Sequence, residues 1–229
     1  MVMIFDNVRK IKQKIREVCL KTGRNPEDVT IVAVTKTVPV ERIIEVVKAG
    51  IYDIGENKVQ ELLEKRKASD NVRWHFVGHL QTNKVKYIVD FVHLIHSVDS
   101  FKLALEIDKR AKRINRVVDV LIEVNTSGEL TKYGVKPEEA LNLVRQISEN
   151  CEYVRVKGLM TVAAYLPNPE DVRPMFRTLR ELRDEISKFN LRNVEMRHLS
   201  MGMSNDYEVA VEEGATIVRI GTAIFGPRK

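Results

Sequence analysis

The sequence predicts the α/β class, as a single (β/α)8 TIM barrel over residues 1–229 with one extra N-terminal helix. Eight short apolar, β-branched segments alternate with helical patterns along the whole chain. The 229 residues are close to the number that eight such units need. No linker, repeat or low-complexity segment divides the chain. A doubly wound open sheet is the alternative, because a boundary error can hide or invent a strand.

The first half of the pattern begins with a basic amphipathic helix near residues 5–20, whose apolar residues recur at helical spacing. Pro39 suits the start of the next helix and Gly50 its end, and Ser100 is a suitable N-cap for a later one. The strands are TIVAVTK (30–36), YDIG (52–55), WHFVGH (74–79) and HLIHSV (93–98). The helices after them are VERIIEVVKAG (40–50), NKVQELLEKRKAS (57–69), TNKVKYIVDF (82–91) and SFKLALEIDKRAKR (100–113).

The second half repeats this rhythm, with Pro137 at a helix start and Gly214 at a helix end. Its strands are VVDVLIEVN (117–125), VRVKGLMTVA (154–163), VEMRHLSM (194–201) and TIVRIGTAIFG (216–226). The helices between them are PEEALNLVRQISEN (137–150), EDVRPMFRTLRELRDEISKF (170–189) and SNDYEVAVEEG (204–214). A long loop, TSGELTKYGVKP, follows the fifth strand.

Composition and charge limit the functional classes. The formal net charge is +6, and the densest basic stretch lies on the first helix, opposite its apolar stripe. This arrangement is typical of a solvated helix face, so we do not expect nucleic-acid binding. No stretch approaches the roughly 18 apolar residues of a membrane span, and the N-terminus has no apolar secretory segment. With two cysteines and no metal motif, the sequence predicts a cytoplasmic protein without a membrane anchor.

A lysine at the end of the first strand is the first candidate functional residue. In barrels of this kind, functional groups lie at the C-terminal ends of the strands. By strand alternation Lys36 shares a face with Val32 and Val34, which would hold its amine at the barrel mouth. A neutral lysine amine is a nucleophile toward aldehydes. The alternative is a lysine that begins a solvated loop.

Small polar residues near the end of the chain form the second candidate. HLSMGMSND closes the seventh strand with Ser200 and Ser204, and VRIGTAIFG places Arg219, Gly221 and Thr222 late in the eighth. Barrels often bind phosphate at this position, where glycines let backbone N–H groups approach. The alternatives are turn geometry for the glycines and a surface ion pair for Arg219. A ligand with an aldehyde and a phosphate would fit both candidates, such as pyridoxal 5′-phosphate (PLP) or the substrate of an aldolase.

Eight stretches, in order over nearly the whole chain, resemble the pyridoxal phosphate homeostasis protein family, which shares the alanine racemase N-terminal type of barrel. They are VAVTKTVP, IGENKVQE, WHFVGHLQTNK, HSVDS, VNTSGELTKYG, GLMTVA, HLSMGMSNDYEVAVEEGAT and VRIGTAIFG. The resemblance implies PLP held as a Schiff base on Lys36. It implies further cofactor contacts from Asn57, Ser200, Ser204, Arg219, Gly221 and Thr222. Lys132, in LTKYG, resembles a lysine linked in that family to cofactor transfer.

The sequence is compatible with three functions. The resemblance implies a monomeric protein that buffers PLP and delivers it to PLP-requiring apo-enzymes (vitamin B6 homeostasis), without substrate turnover or catalytic residues. The alternative is a PLP-dependent amino-acid racemase or decarboxylase, which needs a positioned base besides the lysine; Tyr133 and Tyr165 lie in loops and are the residues to test. A nucleic-acid-binding module rests on charge alone. We expect no metal site, because the histidines have no HExxH or cysteine-rich partner motif.

Overall fold

Eight parallel strands close into a barrel in the computed structural model, which describes residues 3–68 and 71–227. The strands are β1 (Thr30–Val34), β2 (Asp53–Glu56), β3 (Arg73–Phe76), β4 (Leu94–Val98), β5 (Val118–Glu123), β6 (Val154–Met160), β7 (Val194–Ser200) and β8 (Ile217–Ile220). Each strand pairs with the next, and β8 pairs back with β1, where Val32 lies opposite Arg219. The predicted (β/α)8 barrel is confirmed, and the open-sheet alternative is wrong.

Helices connect the strands on the outside of the barrel. They are α1 (Ile4–Lys21), α2 (Val40–Lys48), α3 (Val59–Lys65), α4 (Phe101–Arg113), α5 (Pro137–Asn150), α6 (Arg173–Ser187), α7 (Tyr207–Glu212) and α8 (Thr222–Phe225). Ser100 caps α4 by accepting a hydrogen bond from the backbone N–H of Leu103, as expected for a serine before a helix. Pro137 begins α5 at the predicted residue.

Two apolar layers hold the barrel together. The smaller fills the barrel interior and consists of Val32, Leu94, Leu121, Met160 and Ile217. The larger lies between the strands and the surrounding helices and includes the fully buried Phe76 and Phe176. Because side chains pack the barrel interior, the open space for a ligand lies above this layer, at the C-terminal ends of the strands.

The extra N-terminal helix packs against the end of the chain. Val8, Ile11 and Ile15 form the buried stripe of α1, as the helical spacing predicts. The helix lies against α7 and α8, and the Asn7 side-chain amide donates to the Ile224 backbone carbonyl at 2.9 Å. The first helix therefore supports the short helix that follows the last strand.

The segment predicted as a helix over 82–91 is the clearest error in secondary structure. It forms a 3-10 helix, Thr82–Tyr87, followed by further turns. Val85 and Ile88 are β-branched, which weakens an α-helix. The Arg116 guanidinium donates to the carbonyls of Val89 and Val92, which holds the chain in these turns where it leads into β4. The buried face survives, since Val85, Ile88 and Val92 are fully buried.

Several predicted elements end early at the barrel mouth. Strand β1 ends at Val34 rather than at residue 36, and β8 ends at Ile220, so Gly221 and Thr222 begin helix α8 instead of extending the strand. Helix α3 ends at Lys65 and passes into a 3-10 turn; Ser69, the predicted helix end, lies outside the described residues. The predicted domain of 1–229 likewise extends two residues beyond the described range at each end. Strands β1 and β8 are therefore shorter than predicted, and the residues after them belong to the loops of the mouth.

Candidate functional site at the barrel mouth

A cavity of about 360 Å³ lies at the C-terminal ends of the strands. Its apolar wall includes Val34, Val77 and Val162. Among the residues predicted for the site, those that line this cavity are Lys36, Asn57, Ser204, Arg219, Gly221 and Thr222. The structure therefore brings together both candidates of the sequence, the lysine after β1 and the polar residues after β7 and β8. At this size the cavity belongs to the usual range for small-molecule sites.

Lys36 is held at the cavity by clamps on both of its neighbours. Thr37 has a φ of 61°, an uncommon conformation for a non-glycine residue. Its backbone N–H donates to the Glu61 carboxylate at 2.8 Å. On the other side, the Thr35 carbonyl accepts a hydrogen bond from Lys65 Nζ at 2.7 Å. The backbone that carries Lys36 is thus fixed by side chains of α3.

These clamps belong to a buried charged cluster that sequence reasoning missed. Lys65 Nζ lies 2.7 Å from Glu56 Oε1 and 3.1 Å from Glu61 Oε2. The Glu56 side chain is fully buried and also accepts from the Thr35 hydroxyl at 2.5 Å. A signal was available, because Glu61 and Lys65 stand four residues apart on one predicted helix. Nothing in the spacing, however, indicated that both side chains would form hydrogen bonds with the backbone on either side of Lys36.

Asn57 presents an unsatisfied polar atom at the cavity wall. Its side-chain Oδ1 is buried and has no hydrogen-bond partner among the described residues. Gly78 packs directly behind it, since a Cβ on Gly78 would lie 2.3 Å from the Asn57 carbonyl oxygen. A buried polar atom without a partner costs free energy unless a ligand or water satisfies it. Asn57 is therefore a group that a bound polar ligand would complete.

The opposite wall is built for close approach to the backbone. Helix α8 begins at Thr222, and Gly221 and Thr222 both line the cavity. The Ser204 hydroxyl accepts from the Ala223 backbone N–H at 3.1 Å, which ties the loop after β7 to this helix. Gly202, with a φ of 92°, permits the tight turn of that loop, because a Cβ there would meet Ala210 at 2.6 Å. Backbone N–H groups and hydroxyls at this wall suit an anion.

Arg219 supplies a buried cation to the cavity. Only 5% of the residue is exposed, and its guanidinium donates to the Thr161 carbonyl at 2.8 Å and to the Ser200 hydroxyl at 2.7 Å. Burial lowers the pKa of Arg219 to about 10, partly offset by Glu123 and Asp206, so the guanidinium stays charged at neutral pH. The alternative of a surface ion pair for this arginine is therefore wrong.

Ser200 lies behind Arg219 rather than at the cavity. It is fully buried and is not among the lining residues, and its hydroxyl is shared between Arg219 and His96. Its predicted contact with the cofactor therefore stays a prediction. The structure instead gives Ser200 a place between the arginine and a row of buried histidines.

A buried carboxyl and a loop lysine complete the surroundings of the site. Burial raises the pKa of Glu123 to about 7, with a further contribution from Asp99, while Arg219 acts in the opposite direction. Lys132, on the loop after β5, donates to the Ala163 carbonyl at 2.9 Å and pairs with Glu129 at 2.7 Å. Lys132 therefore lies beside the end of β6 without lining the cavity.

Within residues 3–68 and 71–227, no group of three or more His, Cys, Asp and Glu side chains is arranged to hold a metal ion. Across the same residues, no helix has the length and apolar character to span a membrane.

Tyr133, one of the two loop tyrosines, stacks on His79 with ring centroids 4.0 Å apart.

Comparison with known proteins gives close relatives over almost the full chain. A family model described as alanine racemase, N-terminal domain, matches residues 6–229. A protein of Aquifex aeolicus named pyridoxal phosphate homeostasis protein is 52% identical, covering 98% of this chain and 98% of its own. A protein of Escherichia coli with the same name is 34% identical, covering 98% and 97%.

Solved structures agree with these relatives. The structure of PipY from Synechococcus elongatus with PLP bound has a TM-score of 0.84 and 30% identity, covering 98% of this chain and 100% of PipY. Alanine racemase of Clostridium difficile has a TM-score of 0.75 at 18% identity; it shares the fold, and the match covers 97% of this chain but 57% of that enzyme. The family resemblance predicted from the sequence motifs is confirmed, and the chain belongs to the pyridoxal phosphate homeostasis protein family, within the alanine racemase N-terminal type of barrel.

Proposed function

We propose that this protein binds PLP in the cavity at the barrel mouth, and that it buffers the cofactor and delivers it without turning over a substrate. One observation carries the proposal. Lys36 and the anion-suited wall of Ser204, Gly221 and Thr222 face the same cavity of about 360 Å³. A lysine amine suits the aldehyde of PLP, and an anion-suited wall on the same cavity suits its phosphate. The PLP-bound structure of PipY and the name of the curated relatives support it.

The residues of the cavity divide into three roles. When bound, PLP supplies an aldehyde, and Lys36 supplies the amine that holds it as a Schiff base. Ser204, Gly221 and Thr222, which line the same cavity, would bind the phosphate. Arg219 brings a fixed positive charge, and Asn57 brings an unsatisfied acceptor, to the space between them. The donors and acceptors present therefore fit the cofactor.

The racemase or decarboxylase alternative lacks an equally clear set of groups. Proton transfer needs a base that is positioned beside the lysine. Among the described lining residues, Tyr165 and Asp206 are the candidates. Tyr165 is 83% exposed, and the Asp206 carboxylate already accepts from the Met203 backbone N–H at 2.6 Å. Neither residue is held toward Lys36 by a described contact, which favours the carrier function.

The setting of the protein follows from the same proposal. PLP-requiring apo-enzymes are the recipients, because a buffer is useful only if it releases its cargo to proteins that bind it more tightly. We infer a single domain over residues 1–229, acting as a monomer in the cytoplasm. Support for release comes from the mouth, where Tyr165 and the loop residue Leu130 are strongly exposed and nothing described covers them.

The test is an absorption spectrum of purified protein mixed with PLP, followed by borohydride reduction and peptide mass mapping. We expect an imine band and a mass increase on the peptide that carries Lys36. Lys36→Arg keeps the charge but gives a guanidinium, a poor nucleophile, and should lose both signals. Lys132→Arg is the matched control and should keep them. Trapping of the cofactor on the Lys36→Arg variant would place the link elsewhere.

A further inference from the structure

A continuous row of buried polar side chains runs from the base of the barrel to the cavity. We call Asp53, His75, His96, Ser200 and Arg219 the axial chain. The His75 ring nitrogens lie 2.9 Å from Asp53 Oδ1 and 2.9 Å from His96 Nε2. His96 Nδ1 lies 2.9 Å from Ser200 Oγ, which accepts from Arg219 at 2.7 Å. All five residues are at most 6% exposed, so water does not substitute for these hydrogen bonds.

The two ends of the axial chain determine the direction of each hydrogen bond. Arg219 has only donors, and the Asp53 carboxylate has only acceptors. Burial raises the pKa of Asp53, but hydrogen bonds from His75 and Arg73 outweigh it and lower the pKa to about 2, so the carboxylate is ionised. Neutral histidines then fit one arrangement: both carry the proton on Nε2, and the Ser200 hydroxyl donates to His96 Nδ1.

An added proton would reverse this arrangement. If His75 held protons on both nitrogens, His96 Nε2 would have to accept, and His96 Nδ1 would then donate to Ser200. The Ser200 hydroxyl would face two donors and lose its acceptor. The titratable and charged groups around these rings are His93, His198, Asp53 and Arg219. Burial lowers the pKa of His96, and His75, Arg219, His198 and His93 lower it further.

From this geometry we propose that His75 and His96 are positioning residues, which hold the Arg219 guanidinium at the cavity through Ser200. The Asp53–Arg73 pair, at the opposite end of the barrel, fixes which atom donates in each hydrogen bond between them. The inference deepens the proposed function, on which its cofactor measurement rests. The far end is open to solvent: the Arg73 side chain is 53% exposed and pairs with both Asp53 oxygens, at 2.7 and 2.5 Å. A change at that exposed pair therefore reaches the cofactor site through the barrel interior.

The chain contains a matched control for this coupling. Arg155 pairs with both oxygens of Asp119 at 2.7 and 3.1 Å, in the same position at the base of β5 and β6. The Arg155 side chain is 42% exposed, similar to Arg73. Asp119, however, has no hydrogen bond to a histidine among the described residues. Arg155 also lies 3.6 Å from Glu195, so Arg155→Gln removes at least as many surface ion pairs as Arg73→Gln, but only Arg73 ends the axial chain.

The first experiment measures histidine tautomers by ¹⁵N NMR in cofactor-free protein. We expect His75 and His96 as Nε2–H tautomers, the arrangement that the hydrogen-bond directions require. Arg73→Gln removes the cation that holds both Asp53 oxygens, so the ring ¹⁵N shifts of His75 and His96 should both change. Arg155→Gln should leave both spectra unchanged. His96 as Nδ1–H in the wild-type protein, or equal spectra in the two variants, would overturn the proposal.

The second experiment measures the dissociation constant of PLP by equilibrium dialysis. His96→Leu leaves the Ser200 hydroxyl without its acceptor, and retention should weaken roughly 5- to 10-fold, the worth of one buried hydrogen bond. His96→Gln restores a donor toward His75 and should recover part of that loss. Unchanged retention in His96→Leu would refute the coupling. Failure of wild-type protein to bind PLP would remove the proposed function, while the tautomers would still decide the axial chain.

Discussion

Removing the Lys65 ammonium should be the most damaging single change near the site. Lys65→Met keeps most of the buried stem but deletes the charge that contacts Glu56, Glu61 and the Thr35 carbonyl. Glu56 is then left as a fully buried carboxylate with only the Thr35 hydroxyl as donor. The cost of breaking such a buried pair from one side is about 3–5 kcal/mol.

An independent limit gives a similar magnitude. A glutamate in water has a pKa of about 4.3, so neutralising one at pH 7 costs roughly 3.7 kcal/mol, and protonation of the orphaned carboxyl caps the loss near that value. We therefore expect a loss of about 3–4 kcal/mol at pH 7. Because protonation becomes cheaper in acid, the deficit of Lys65→Met should shrink as the pH falls from 7 toward 5.

Urea unfolding followed by circular dichroism measures this free energy. The double variant Glu56→Gln/Lys65→Met no longer strands a fully buried charge, because Glu61 is partly exposed and keeps its hydrogen bond from the Thr37 N–H; it should recover more than half of the loss. The surface pair of Arg192 and Glu152, with side chains 66% and 65% exposed, provides the second control: Arg192→Met should cost less than about 1 kcal/mol. A loss below about 1 kcal/mol in Lys65→Met, or additive losses in the double variant, would refute the reasoning.

Three further predictions concern binding, pH and turnover. Arg219→Ala or Thr222→Ala should weaken PLP retention about tenfold, the worth of a charged hydrogen bond, in equilibrium dialysis; unchanged affinity in both would remove the end of β8 from the site. Burial, with help from Arg197 and Lys157, lowers the pKa of His198 to about 4. Histidine in the unfolded chain binds its proton near pH 6.5, so the free energy of unfolding of the wild type should fall as the pH drops from 6.5 to 4. His198→Gln should recover about 1–2 kcal/mol of that fall, after a discount for solvent screening, in urea unfolding at both pH values. PLP-loaded protein should racemise or decarboxylate amino acids no faster than free PLP, and turnover near 10 per second, detected by chiral chromatography, would favour the enzyme alternative.

The barrel was predictable from periodicity, because each strand carries a short apolar run and each helix its own apolar stripe. Helix α5 begins and ends at the predicted residues. The errors lie where tertiary contacts decide the outcome. Arg116, from the loop before β5, donates to the carbonyls of Val89 and Val92 and holds the segment over 82–91 in turns, and no local pattern indicates that. Similarly, Gly221 turns β8 into a helix, where the sequence alone reads as one continuous strand.

The site was predictable as far as strand ends identify it. Lys36, Asn57 and Ser204 lie within a few residues after the ends of β1, β2 and β7, so the barrel itself brings them to one mouth. The axial chain was not predictable in the same way. His75 and Ser200 stand 125 positions apart, and only the closed barrel places His96 between them. No local pattern in the sequence indicates that two histidines would meet in one row of hydrogen bonds.

Closure of the barrel by its first and last strands has a consequence for biosynthesis. Lys36 follows β1 and leaves the ribosome early, whereas the wall of Ser204 and Thr222 is made last. Neither half of the cavity is complete until β8 pairs with β1, a contact between residues about 190 positions apart, and such distant contacts form slowly. PLP that bridges the two halves would bind only the finished barrel, and at 100 times its dissociation constant it would stabilise the joined ends by about 2.7 kcal/mol. The cofactor would thus stabilise the folded form of the newly made chain against unfolding, so that vitamin supply influences how much of this protein survives proteolysis.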